Sequence, residues 1–309
     1  MILLKESFIE FINNLKIDNE DEIKTSLDGI AKKLNQKYYD DSTTKNYLVV
    51  GSMGRQTSIK GESDIDVIYE LPEEVFKRVD SYESNGQSQL LQEIKDILKE
   101  KYSSTDIKGD GQVVVISFTK YKIELVPGFK QDDNSYKYPD THNGGSWKIT
   151  KPISEINESK NMINNTDIYK DLCQMIREWK ANNGVTICGL LIDTLIKEFL
   201  NYNVEFKYKT KDDYYDLLKK VFEYLKEQGE DRKQWYAMGS NQIIENNNFN
   251  FIKKSKKTLN KLSNSNNHLS TLREIFGNRF PISKSTINEY GFSQTEQFIE
   301  DLFPINIIY

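Results

Sequence analysis

Histidine and cysteine are scarce in this chain, with two of each among 309 residues. His142 and His268 are too few for a multi-histidine metal site and argue against a triad enzyme, though a lone histidine base stays open. Cys173 and Cys188 show no paired spacing that suggests zinc. Two thiols in so long a chain do not make a disulfide framework, so a reducing, cytoplasmic setting is expected. No run of about eighteen apolar residues occurs, so no membrane span is expected. The opening MILLKESFIEFINNL is broken by Lys5, Glu6 and Glu10 and lacks the apolar stretch and cleavage site of a signal peptide. Positive charge is not in excess either. A net charge of -5 and a pI near 5.4 argue against a protein that coats duplex nucleic acid by bulk charge. A local basic groove is still allowed.

What is present is enough for a sizeable core: 37% of residues are hydrophobic, in a length that allows one large domain or two packed lobes. Leu4, Phe8, Phe11, Ile12 and Leu15, then Ile23, Leu27, Ile30 and Leu34, follow helical spacing on either side of a polar break. They predict one long or broken helix over 3–37, packed along the back of a domain. YLVV (47–50) and DIDVIYEL (64–71) read as strands, 84–101 as an amphipathic helix, and QVVVISF (112–118) with YKIELV (121–126) as a hairpin turning at Thr119-Lys120. Residues 127–152, rich in Asp, Asn, Gly, Pro and Tyr, read as a long loop. Helices are expected at 166–182, 186–201, 211–227 and 250–262. Segment 239–268 reads as loop and solvated helix, its lysines at 253–257 notwithstanding. The ending FIEDLFPINIIY suggests either a terminal strand docked on the body or a native chain that continues into a further domain.

The chemistry concentrates in GSMGRQTSIKGESDIDVIYE (51–70). Side chains two apart on a strand share a face, so Asp64 and Asp66 point together while Ile65 and Val67 face the core. Two such carboxylates repel, and a divalent cation removes the conflict. Mg²⁺ prefers oxygen and is held by one or two carboxylates plus substrate phosphates. Glu124, flanked by Ile123 and Leu125, supplies a third carboxylate if the hairpin packs beside strand 64–71. The set then suits two-metal chemistry on an attacking hydroxyl and a leaving pyrophosphate. Gly51 allows backbone to approach a phosphate closely, the Ser52 hydroxyl bonds phosphate oxygens, and Arg55 and Lys60 are expected to add positive charge. A lone D-x-D or Gly-Ser is more often a surface or capping feature; the combination in this order favours a site.

GS-x(11)-D-x-D with a later carboxylate resembles the DNA polymerase β-like nucleotidyltransferases. The fuller set — GSMGRQTSIKGESDIDVIYEL, IELVPGF, YPD…GGSWKITKP, MIREWK and ICGLLIDTLIKEF — resembles one branch, the bacterial CD-NTases, relatives of cyclic GMP-AMP synthase and oligoadenylate synthetase. The likeness covers about residues 45 to 202, and the N-terminal helix fits it. It implies an α+β fold: a mixed-sheet nucleotidyltransferase core with a long N-terminal helix (1–150), a helical C-terminal lobe (151–309), and an active site in the cleft between them. It implies ribonucleoside triphosphates (ATP, GTP or pyrimidine NTPs) joined into cyclic or linear oligonucleotides, second messengers of anti-phage defence that activate a separate effector protein. By position, Gly51 and Ser52 would hold triphosphate and Asp64, Asp66 and Glu124 would bind Mg²⁺, with Mn²⁺ able to substitute. Many relatives carry aspartate at the third carboxylate and lysine where Arg177 falls. Here either Arg177 or Lys180, three apart on one helix, would reach the triphosphate. A serine often found near Gly189 is absent.

Two other functions compete. One keeps the chemistry with a different acceptor (an RNA end, a protein or a small molecule), and the other is a catalytically inactive nucleotide-binding sensor. The full carboxylate set argues against the sensor. Trp147 and Tyr138 are candidates for base stacking, with pinning of their loop the preferred reading. Trp179 and Cys188 read as core, the face Tyr215, Leu218, Phe222 and Leu225 as packing, and His142 as a solvent-exposed loop residue.

Overall fold

The structure is a computed structural model that describes residues 2–61 and 64–281. The N-terminal periodic segment forms two helices, α1 (Ile2–Leu15) and α2 (Glu20–Tyr38), broken at the polar residues between them. The chain continues through β1 (Tyr47–Val49), the single helical turn α3 (Gly51–Gly54), β2 (Asp64–Glu70), α4 (Glu73–Asp80), α5 (Gly86–Lys101), β3 (Asp106–Asp110), β4 (Val113–Ser117) and β5 (Lys122–Lys130). Then come β6 (Tyr136–Asp140), β7 (Ser146–Thr150), α6 (Pro152–Asn165), α7 (Asp167–Asn183), α8 (Gly189–Tyr202) and α9 (Tyr214–Lys226). The hairpin β8 (Gln234–Tyr236) and β9 (Ile243–Glu245) precedes α10 (Phe251–Ser263) and α11 (His268–Phe276).

The main sheet runs β1-β2-β5-β4-β3, with β6 and β7 continuing from β5. Its central pair, β2 and β5, is parallel, and the other pairings are antiparallel. The expected hairpin is present: β4 pairs with β5, and Phe118 N–H donates to the Tyr121 carbonyl at 2.9 Å. The stretch expected to be a long loop, 127–152, is mostly strand. Its turn-forming residues gather at two tight turns, Asp133-Asn134-Ser135 and Asn143-Gly144-Gly145, where Asn134, Asn143 and both glycines take positive φ. On either side of the second turn, Tyr136 and Tyr138 of β6 pair with Thr150 and Lys148 of β7 in an antiparallel ladder. Only the Asp-Asn-Ser and Asn-Gly-Gly clusters mark turns, while Pro127, Gly128, Pro139 and Asp140, residues typical of loops, lie within β5 and β6.

Two apolar clusters hold the molecule. One packs α2, α4 and α5 on the sheet through Leu27, Leu34, Val67, Leu90, Ile94 and Leu125. The other joins the helices after residue 160, including Trp179, Leu195 and Phe222. The N-terminal helix was expected to belong wholly to the sheet-bearing half. Instead α1 places Phe8, Phe11 and Leu15 in the helical cluster, where Phe11 meets Phe276 and Phe280. The break between α1 and α2 lets one N-terminal segment serve both halves. The C-terminal residues expected as a strand or a link to a further domain lie outside the described residues.

Candidate active site

The parallel pairing of β2 and β5 sets Asp66 opposite Glu124 and Asp64 opposite Lys122. On both strands the alternation holds: Ile65, Val67, Ile123 and Leu125 are buried, while Asp64 is exposed and Asp66 and Glu124 are partly so. Three carboxylates thus share one face, across adjacent strands. Burial raises the pKa of Glu124 above its ordinary value, and the negative charges of Asp66, Asp64 and Asp110 add to it against a smaller opposing effect of Lys122. That crowding and the all-oxygen donor set suit a hard divalent cation. As the side chains stand, no three metal-ligating groups among the described residues close on a single point. The strands bring the donors together; side-chain torsions would have to complete the set.

The Gly-Ser turn lies directly beside them. Gly51 has φ +61, and a Cβ there would fall on Asp66 Oδ2. The glycine therefore meets two demands at once, a left-handed backbone and room for the Asp66 carboxylate. Val50 N–H donates to the Asp66 carbonyl at 2.8 Å, which ties the turn to β2. Gly51, Ser52, Asp64, Asp66 and Glu124 line a cleft of about 590 Å³, with Arg177, Lys180, Gly189 and Leu190 of the helical half on its other wall.

The cations divide by role. Lys60 pairs with Asp18 at 2.5 Å and Arg55 is buried, its Nε donating to Asp193 Oδ2 at 2.7 Å. The positive charge expected from these two residues for a phosphate is thus already engaged within the protein. Arg177 is buried as well: it donates to the Thr57 carbonyl at 2.8 Å and to both oxygens of Asp193 at 2.8 Å. Lys180, one turn along α7, lines the same cleft, half-buried and with no ion pair among the described residues. Between Arg177 and Lys180, geometry favours Lys180 as the group that reaches a ligand. A Cβ on Gly189 would lie 2.6 Å from an Arg177 guanidinium nitrogen, so a side chain at 189 would compete with Arg177 for this space.

Asp193 and Thr57 escaped the reading of the sequence. The available signal was a lone acid inside the apolar helix ICGLLIDTLIKEF, since a charge in such a run needs a partner. Trp147 packs against Phe76 and Phe129 and donates from its indole to Asp80 at 2.9 Å, so it pins its strand. Trp179 is core, edge-on to Phe222, with its indole on the Thr258 hydroxyl. Cys188 is half-buried at the cap of α8, and His142 is exposed with its ring on Asp140.

A sheet of this order beside a helical half, with its acidic face on the cleft, is that of the polymerase β-like nucleotidyltransferases. Residues 1–162 match the family described as the Second Messenger Oligonucleotide or Dinucleotide Synthetase domain, over half the chain, and the protein belongs to that family: it is a CD-NTase, a nucleotidyltransferase that synthesises cyclic oligonucleotides. Among solved structures, E. coli MS115-1 CdnC in its complex with HORMA-deltaN is similar at a TM-score of 0.67 and 13% identity, over 90% of this chain and 98% of that one. Bradyrhizobium diazoefficiens CdnG in complex with GTP gives 0.64 and 9%, over 90% and 96%. Vibrio cholerae DncV in its apo form gives 0.58 and 14%, over 76% and 69%. At these identities the likeness shows the fold. No curated protein matches the sequence. No helix among the described residues is long and apolar enough to cross a membrane.

Proposed function

We propose that this enzyme joins ribonucleoside triphosphates into a cyclic di- or trinucleotide with release of pyrophosphate, as a cytoplasmic signal in anti-phage defence that activates a separate effector protein. The observation that carries the reading is the register of β2 on β5, which sets Asp66 against Glu124 with Asp64 two residues before it, all beside the Gly51-Ser52 turn. Relatives solved with ATP and with GTP support triphosphates as substrates.

In this reading Asp64, Asp66 and Glu124 hold Mg²⁺, or Mn²⁺ in its place. The ion, when bound, supplies Lewis acidity toward the attacking hydroxyl and the departing pyrophosphate. The protein's own groups do the rest. Backbone N–H groups of the turn and the Ser52 hydroxyl bond the donor triphosphate, and Lys180 neutralises its outer phosphates from the opposite wall. A deprotonated carboxylate on β2 or β5 accepts the proton of the acceptor's ribose hydroxyl as that oxygen attacks the α-phosphate in line. The linear product then turns within the open cleft for a second attack that closes the ring.

The test is direct. The protein is incubated with Mg²⁺ or Mn²⁺ and all four ribonucleoside triphosphates, treated with phosphatase, and the survivors are identified by mass spectrometry. A phosphatase-resistant cyclic product, absent from Asp64→Asn, is expected. Linear or acceptor-linked products would overturn cyclisation, and equal pyrophosphate release by wild type and Asp64→Asn would overturn the site.

A further inference from the structure

The segment that leaves the Gly-Ser turn, residues 55–58, belongs to the sheet-bearing half by sequence, yet its polar groups are held by the helical half. Arg55 Nε donates to Asp193 Oδ2 at 2.7 Å, and the Arg55 carbonyl accepts from the Ser159 hydroxyl at 2.6 Å. The Thr57 hydroxyl donates to Asp193 Oδ2 at 2.9 Å and accepts from Arg177 at 2.9 Å. Arg177 Nε donates to the Thr57 carbonyl, and the Gln174 amide donates to the Ser58 carbonyl at 2.9 Å. In turn, Thr57 N–H closes back on the Ser52 carbonyl at 2.9 Å. Thr57 and Asp193 are fully buried, and Arg55 and Arg177 nearly so. One buried acid therefore receives two guanidiniums and a hydroxyl, from two distant stretches of chain. Glu155, 3.8 Å from Arg55, balances the second positive charge.

We infer that Asp193, Arg177 and Thr57 are positioning residues for the triphosphate turn: helices of the helical half fix where the Ser52 hydroxyl and the turn's N–H groups point. The inference rests on the proposal that this turn seats the donor triphosphate. Its physical basis is stiffness. A four-residue helical turn between two strand-like segments has little packing of its own, since none of its residues is fully buried. A buried network of charge-assisted hydrogen bonds gives it one position relative to Asp66. None of the three residues need touch the nucleotide to control how tightly it binds.

The test compares Thr57→Val, which keeps the volume and removes the hydroxyl, with Thr57→Ser, which keeps the hydroxyl. Arg177→Lys, which keeps the charge and loses the planar fork, is the second probe should Thr57→Val fail to fold. Binding of a non-hydrolysable ATP analogue is titrated in each, with KM, kcat and thermal melting. Weaker analogue binding by about tenfold in Thr57→Val or Arg177→Lys is expected. KM should rise with it and kcat fall less, and Thr57→Ser should restore wild-type values. A folded Thr57→Val or Arg177→Lys with wild-type affinity and KM would overturn the inference and leave the carboxylate site standing. Failure of wild-type protein to bind the analogue would instead overturn the reading of the turn itself.

Discussion

Glu124 is the residue whose surroundings make the sharpest demand. Its pKa is raised, first by burial and then by Asp66 and Asp64, so the folded protein holds its proton more tightly than the unfolded chain does. The stabilisation this gives the metal-free protein is complete below the ordinary glutamate pKa and is lost as pH rises through the raised one. Glu124→Gln, which is neutral at every pH, should therefore melt above wild type at pH 7.5 in EDTA, with the gap narrowing toward pH 4.5. A gap that is constant or widens in acid would contradict the crowding. The same shift implies that metal and proton compete, so the Mg²⁺ concentration for half-maximal activity should rise as pH falls through the raised value. Gly51→Ala should lose at least about tenfold in turnover while remaining folded, because the new methyl demands a strained φ and displaces the Asp66 carboxylate. Lys180→Ala should raise the nucleotide KM about tenfold with a smaller change in kcat, as expected for one lost charge-assisted contact. An unchanged KM would remove Lys180 from the site.

At the scale of elements, α7 and α8 are fitted to each other through a guanidinium and the absence of a side chain. Gly189→Ser places a Cβ 2.6 Å from Arg177, which is too close for both to keep their places. The single substitution should disturb the Arg177–Asp193 pair and cost stability and activity. The double variant Arg177→Lys with Gly189→Ser should recover part of that loss, because the slimmer ammonium stem vacates the space. Chemical denaturation of the four proteins in that cycle measures the coupling, and purely additive effects would show that the two positions are independent. The strands teach a related lesson. The alternation of β2 and β5 was legible from Ile65, Val67, Ile123 and Leu125 flanking the acids. The strands β6 and β7 were hidden because their turn residues dominate the composition of residues 127–152.

The molecule as a whole is stitched at its N-terminus. Helix α1 fills the helical cluster and α2 the sheet cluster, so their junction at 16–19 spans both halves. Phe11 is fully buried between Phe276 and Phe280. Phe11→Ala should lower stability by about 3–5 kcal/mol, the usual cost of emptying such a site. If α1 instead merely lay along the sheet-bearing half, the same change would leave the fluorescence transition of Trp179 and Trp235, both in the helical cluster, where it was. The charge network at Asp193 is the second stitch, made of polar rather than apolar contacts.

The sequence by itself determined the acidic face. Alternation along a strand is local, so Asp64, Asp66 and Glu124 announced a shared chemistry through their immediate neighbours, and Gly51-Ser52 announced a turn. It also determined most helices, because apolar spacing of three and four is read within a single segment. It did not determine which cations face the cleft. Arg55 and Lys60 sit next to the motif, yet their charges end on Asp193 and Asp18, and Lys180 on a later helix lines the cleft with the carboxylates. Only the tertiary structure decides that, because ion pairs between residues 42 and 138 positions apart leave no periodic trace in the chain, while the desolvation cost of the buried Arg55 guanidinium makes its partner obligatory once the helices pack.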